Sequence, residues 1–138
     1  ASRTEFERRA ELMVQQYNGY VVIDSLKVDG KLTIGENIAD LGGLTIAYSA
    51  LQRSLEGKPR PAIDGFTPEQ RFFLAWAQIW RRTVRPEALR LQVKTDSHSP
   101  ARLRVHGPLA NMPQFQQAFG CGEDTGFLRA TNERITIW

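Results

Sequence analysis

Three stretches of this chain repeat their apolar residues at steps of three and four, and that periodicity commits most of it to helix. In Thr4 to Asn18, the residues Phe6, Ala10, Met13, Val14 and Tyr17 share one face, and Gly19 marks a stop. A second set, Ile38, Leu41, Leu44, Ala47, Tyr48 and Leu51, predicts a helix over 35–55. Thr33 stands three residues before Glu36, which makes Thr33 the expected N-cap of a T-x-x-E capping box. The third helix, 67–82, opens at Thr67-Pro68-Glu69, with Thr67 suited to the N-cap and Pro68 to the first turn. Phe72, Phe73, Ala75, Trp76, Ile79 and Trp80 make it apolar on most sides, so it is the expected central helix of the core. Arg81 and Arg82 complement the dipole at its C-terminal end.

The remaining segments are short. Tyr20 to Ile23 is an extended or irregular connector, followed by the turn signal Asp29-Gly30. Glu56 to Gly65, rich in Gly and Pro, is a loop. Arg85-Pro86 breaks the third helix, and Glu87 to Thr95 adds one or two helical turns. Ser99 is the expected cap, and Pro100 the first position, of a short helix through Val105; Pro113 to Phe119 is another, ending at Gly120. Cys121 to Arg134 shows no periodicity, and the apolar stretch Ile135 to Trp138 is expected to pack back on the core. The Gly42-Gly43 pair costs roughly 1 kcal/mol per Gly relative to Ala inside a helix, which predicts a close approach to the backbone there. The fold class is mostly α, and residues 1–138 form one domain.

Composition excludes several functions. No apolar run approaches the ~18 residues of a membrane span, and no signal-peptide pattern opens the chain. Arg outnumbers Lys 14 to 4, but the net charge is +3, the acids are spread along the chain, and no basic block exceeds two residues. No nucleic-acid partner is therefore expected; such a partner would show steeply salt-dependent binding. The lone Cys121 excludes a disulfide framework. A catalytic zinc commonly takes three protein ligands, and this chain has two histidines, His98 and His106, and no HExxH. It lacks the parts for a complete zinc site.

A few residues carry possible chemistry. Glu36 and Asp40, four apart, share a helix face. They are either first-turn acids facing solvent or a metal ligand with a partner that orients another ligand. His98, before Ser99-Pro100, is either a loop histidine bonded to nearby backbone or a donor to a developing oxyanion. Arg102 and Arg104 are solvated, or one of them turns inward to a buried carboxylate. Trp76 and Trp80 are core residues, or Trp80 lines an apolar substrate pocket.

The string Gly35-Glu36-Asn37-Ile38-Ala39-Asp40-Leu41-Gly42-Gly43 resembles the third-ligand motif of the neprilysin and endothelin-converting-enzyme family of zinc metallopeptidases. Phe72 to Trp80 resembles the family's next helix, Asp96 to Val105 its D-x-H-S-P-x-x-x-R-V segment, and the ending at Trp138 its C-terminus. The resemblance covers nearly all of the chain, most loosely after Gly120. It implies the helical C-terminal lobe of a zincin-like metallopeptidase catalytic domain, with zinc as cofactor and peptides as substrates. It further implies Glu36 as the third zinc ligand and Asp40 as the carboxylate that orients a zinc-binding histidine. His98 would stabilise the oxyanion, Arg104 would hold the substrate backbone and contact the aspartate, and Trp80 would line the pocket for the side chain after the scissile bond.

The resemblance also implies what lies elsewhere. The HExxH helix and the strand that binds substrate backbone are expected upstream of residue 1, so the chain reads as a C-terminal piece, inactive alone, whose partner is the rest of the catalytic domain. The face left uncovered invites self-association. Cys121 matches a cysteine that is disulfide-bonded in animal members. Its partner position falls at Ile135, and another frequent cysteine position is Arg81, which suggests a bacterial-type member. An extracytoplasmic location is implied (periplasmic, secreted or a membrane-anchored ectodomain), with a cytoplasmic one open to a bacterial member. The alternative is a free-standing helical binding module related to the peptidase.

Overall fold

The computed structural model describes residues 2–122 and 126–137. It is mostly α, as the periodicity predicts. The helices are α1 (Arg3–Asn18), α2 (Gly30–Ser54), α3 (Pro68–Ile79), α4 (Pro86–Thr95), α5 (Ala101–Leu109) and α6 (Pro113–Phe119). The connector after α1 forms an antiparallel hairpin of β1 (Val21–Ile23) and β2 (Leu26–Lys27), and a short 3-10 turn spans Thr131–Glu133.

Helix α2 starts five residues before the expected position. Asp29, not Thr33, is its N-cap: the Asp29 carboxylate accepts the N–H groups of Lys31 and Leu32, each at 2.9 Å. Thr33 lies inside the helix and donates its hydroxyl to the Asp29 carbonyl. Asp29-Gly30 is thus a helix start, and packing explains it. The Gly30 N–H donates to Asn18 at 2.7 Å, and a Cβ at Gly30 would overlap the Val14 carbonyl. Only glycine lets α1 and α2 cross this closely. Gly107 of α5 serves the same end, because a Cβ there would overlap the Tyr17 hydroxyl.

Helices α1, α2 and α5 surround the core of Met13, Tyr17, Leu41, Leu44, Leu103 and Leu109. Helix α3 is not the central helix expected from its composition. It buries only Pro68 and Phe73, and its Ile79 is 71% exposed. Its start does follow the sequence: Thr67 and Gln70 form a reciprocal capping box behind Pro68. It ends at Ile79 with Trp80 as C-cap, so Arg81 and Arg82 lie beyond it. Phe73 enters an aromatic cluster, stacked on Tyr48 at 5.4 Å and edge-on to Phe115 at 5.4 Å.

Helix α5 begins at Ala101, after Pro100, and runs to Leu109, beyond the expected Val105. Ser99 does not cap it; its side chain is buried against α2. Helix α6 ends at Gly120 in the left-handed conformation, φ 63°. Ile135 and Ile137 are buried, and the Ile135 N–H donates to Asn111 at 2.9 Å. Trp138 lies outside the described residues. Among the described residues no atom lies within 4 Å of a Cβ built at Gly43, so the close approach expected for the Gly42-Gly43 pair is not found at Gly43.

Candidate active-site face

Helices α2 and α5 bring Glu36, Asp40 and Arg104 together. The Arg104 guanidinium donates from Nη2 to Asp40 Oδ1 at 2.6 Å and from Nε to Oδ2 at 2.7 Å. This is a two-pronged, charge-assisted pair. The Asp40 side chain is 4% exposed and that of Arg104 13%. The same Nη2 also reaches Glu36 Oε2 at 3.3 Å. Because α2 starts at Gly30, neither acid lies in its first turn, and only Glu36 faces solvent. The solvated first-turn reading fails for Asp40.

Burial raises the Asp40 carboxyl above its ordinary pKa, against the two Arg104 bonds that pull it down; the Glu36 charge adds to the rise. The same bonds raise Arg104. Arg104 therefore sits where two carboxylates one turn apart would otherwise repel each other.

Two contacts fix Arg104 itself. Its Cζ lies 4.0 Å from the Trp80 ring centroid, a cation–π arrangement. Its carbonyl would ordinarily accept the N–H of residue 108, but Pro108 has none. The Trp76 indole N–H takes that place at 3.1 Å and ties α3 to α5. Arg102, two residues earlier, lies on nearly the opposite side of the helix and donates to the Val21 carbonyl at 3.3 Å.

His98 stands in the loop before α5. Asp96 accepts the His98 backbone N–H at 2.9 Å and lies 2.8 Å from its Nδ1. These bonds, the backbone one first, hold the Asp96 carboxyl below its ordinary range. The other nitrogen, Nε2, is 3.4 Å from Glu36 Oε2. His106 is elsewhere: its ring packs on Phe127 at 4.2 Å, and burial lowers its pKa.

Sequence reasoning passed over three members of this face. Asp96 sets the His98 ring, and Asn37 and Ser99 bond each other beneath it at 2.8 Å. Asn37 and Ser99 are each 1% exposed, and their signal was a polar residue directly following each candidate, Glu36 and His98. Trp80 is half-buried beside a groove with Leu74, Val105 and polar neighbours that include Arg81, Arg102 and His106. A second, apolar groove of about 420 Å³ runs between α2 and α3 past Asp40, Gly43, Ala47, Phe72, Trp76 and Ile79.

As a metal centre the face is partial. No three His, Cys, Asp or Glu side chains among the described residues are arranged to hold a metal. Asp40 has both oxygens on Arg104, and His98 Nδ1 faces Asp96. The half-exposed Glu36 carboxylate is of the oxygen-donor type that could take one position at such a centre.

The profile of peptidase family M13 matches residues 1–135. The chain is 43% identical over 120 residues to an endothelin-converting enzyme homolog of Locusta migratoria, covering 84% of this chain and 16% of that protein. It is 44% identical over 119 residues to endothelin-converting enzyme 1 of Rattus norvegicus, again covering 84% of this chain and 16% of that protein. Among solved structures it superposes on the Mycobacterium tuberculosis zinc metalloprotease Zmp1, crystallised with an inhibitor, with a TM-score of 0.92 at 44% identity. That match takes in 99% of this chain and 22% of Zmp1. The chain thus spans roughly a fifth or less of the proteins it resembles, and it belongs to peptidase family M13, the family of zinc metallopeptidases that includes the endothelin-converting enzymes and neprilysins.

Proposed function

We propose that this chain is the C-terminal part of the catalytic domain of a zinc endopeptidase and hydrolyses no peptide by itself. The observation that carries this reading is Arg104 bridging buried Asp40 and half-exposed Glu36, with His98 Nε2 near the same Glu36 oxygen. Three charged groups converge on one open face, and a lone surface pair would not require that.

In this reading Glu36 supplies one carboxylate ligand, and the remaining ligands and the general base come from an HExxH helix outside these 138 residues. Zinc supplies Lewis-acid polarisation of the peptide carbonyl and a water of lowered pKa. His98, its Nδ1 turned to Asp96, would present Nε2 as a donor to the oxyanion that develops at that carbonyl when the ring carries both protons. Asp40 uses two of its roughly four acceptor sites on Arg104 and keeps capacity for the N–H of a zinc-binding histidine. Arg104, fixed by Asp40 and Trp80, turns its remaining donors to a substrate carbonyl. Trp80 offers an apolar wall to the side chain after the scissile bond.

The groove between α2 and α3 is the surface for the rest of the catalytic domain. Open space at Gly43 and the exposure of Ile46 and Ile79 support this assignment. Without that cover, the same surface drives self-association. One relative is a human "Membrane metallo-endopeptidase-like 1", which supports an extracytoplasmic location; no described helix of this chain is long and apolar enough to cross a membrane.

A second reading, a free-standing binding module, rests on the core that α1, α2 and α5 close among themselves. The two separate in a peptide-hydrolysis assay on the longer polypeptide that includes this chain. The peptidase reading expects chelator-sensitive turnover, zinc and turnover both lost in Glu36→Ala, and a lower kcat with zinc retained in His98→Ala. A zinc-loaded Glu36→Ala protein of full activity would contradict it.

A further inference from the structure

Two of the most buried polar side chains in the described structure bond to each other directly beneath the active-site face. Asn37 and Ser99 are each 1% exposed. The Ser99 hydroxyl donates to Asn37 Oδ1 at 2.8 Å, across 62 residues of sequence. Asn37 Nδ2 donates to the Thr33 hydroxyl at 2.9 Å, and that hydroxyl donates to the Asp29 carbonyl at 2.9 Å. The bonds form one chain from the N-cap of α2 to the loop before α5.

Its position gives it a purpose. Asn37 follows Glu36 directly, and Ser99 follows His98 directly. Otherwise the link between Glu36 and His98 is a 3.4 Å approach of two half-exposed side chains, which water and side-chain entropy weaken. Asp96 orients the His98 ring, but Asp96 belongs to the same loop and cannot hold that loop to α2. The Ser99–Asn37 bond can. It is dry, so breaking it leaves two buried polar groups unpaired.

We infer that Asn37 and Ser99 are positioning residues: their buried hydrogen bond clamps the 96–100 loop onto α2 and so holds the His98 imidazole against Glu36. The inference rests on the reading of Glu36 and His98 as working groups of one site. The clamp acts through His98 alone, so its loss shows in the ring's placement rather than in the fold as a whole.

The test uses the 138-residue chain labelled with ¹³C and ¹⁵N, without metal. In the unaltered chain, a nuclear Overhauser contact is expected between the His98 ring and the Glu36 side chain. Ser99→Ala is expected to erase that contact and spread the His98 ring signals, with the helical circular dichroism kept. Ile135→Val, a core trim far along the sequence, serves as a control of comparable stability loss and is expected to keep the contact. Asn37→Asp, which retains an acceptor for the Ser99 hydroxyl, is expected to keep it too. If Ser99→Ala unfolds the chain, Ser99→Thr and Asn37→Asp replace it, and a contact that tracks stability rather than the hydroxyl–acceptor pair overturns the inference. An intact contact in folded Ser99→Ala overturns it as well. Loss of the contact in Ser99→Ala, together with undiminished peptide hydrolysis by the longer His98→Ala polypeptide, would uphold the clamp and sink the peptidase role of His98.

Discussion

Helices α2 and α3 treat their side chains in opposite ways. Helix α3 is rich in aromatic residues yet buries only Pro68 and Phe73. Helix α2 buries Thr33, Asn37 and Asp40 alongside Leu41, Gly42 and Leu44. Each buried polar group on α2 has a partner: Thr33 on Asp29, Asn37 on Ser99, Asp40 on Arg104. The chain thus desolvates polar groups where precise placement matters, and leaves apolar surface uncovered on the flank. An independent domain minimising its free energy would do the reverse. The contrast is what the proposed reading expects: a face between α2 and α5 completed by this chain, and an α2–α3 groove left for another part of a catalytic domain.

The sharpest way to break this contrast is at Arg104. Arg104→Met strands Asp40 as a buried, unpaired carboxylate and is expected to cost about 3–5 kcal/mol in chemical denaturation at neutral pH. Without Arg104 the folded-state pKa of Asp40 rises further above the ordinary 3.8. The protonated form is then the one that folding favours. The deficit is therefore largest above that raised pKa and shrinks as pH falls through it. A deficit that is flat with pH would mean that Asp40 is not the group at fault.

A comparable loss is expected on α3 only at its one buried aromatic. Phe73→Ala should cost about 3–5 kcal/mol, whereas Ile79→Ser should stay within about 0.5 kcal/mol. Light scattering of Ile79→Ser should show less self-association than the unaltered chain. If Ile79→Ser instead destabilises the monomer as Phe73→Ala does, the groove is closed in solution and the contrast is lost.

The glycines of α2 give a smaller effect of opposite sign. Gly43→Ala adds a methyl where no described atom lies within 4 Å and should raise stability by about 1 kcal/mol, the helix propensity difference. Gly30→Ala should lower it, because the Val14 carbonyl is in the way. In the longer polypeptide, Gly43→Ala should lose its benefit, since the added methyl would meet the covering segment.

The smallest effect lies on α1, far from the site. Arg8 and Arg9 bond Glu5 and hold its pKa at about 2, below the ordinary 4.5. A depressed acid contributes stability above 4.5 and loses it as pH falls through about 2. Glu5→Gln should therefore flatten that part of the acid denaturation curve, and added salt should do the same to the unaltered chain.

Much of this architecture is legible in the sequence, and the failures share one cause. Periodicity places α1, and Thr67-Pro68 places the start of α3, because those signals depend on neighbouring residues alone. Asp29-Gly30 reads equally well as a turn or a cap, and a backbone crossing with Val14, distant in sequence, decides between them. The apolar character of α3 does not say whether this chain buries it, and here it buries only Pro68 and Phe73. The same holds at the site. Residue type and spacing make Glu36, Asp40, His98 and one of Arg102 and Arg104 candidates, and the likeness of the surrounding strings to the family's motifs singles out Glu36, Asp40, His98 and Arg104. Asn37 and Ser99 are marked only by being polar residues directly after Glu36 and His98, because a buried amide–hydroxyl bond has no periodicity of its own.

The central claim is that this chain supplies one zinc ligand, Glu36, to a site completed from outside the described residues. The most direct measurement is the zinc content of the purified 138-residue chain by elemental analysis after dialysis. The account predicts zinc well below one per chain, with no change in Glu36→Ala. One tightly held zinc per chain, lost in Glu36→Ala, would contradict it, because Glu36 would then belong to a complete centre built by this chain alone or by two copies of it.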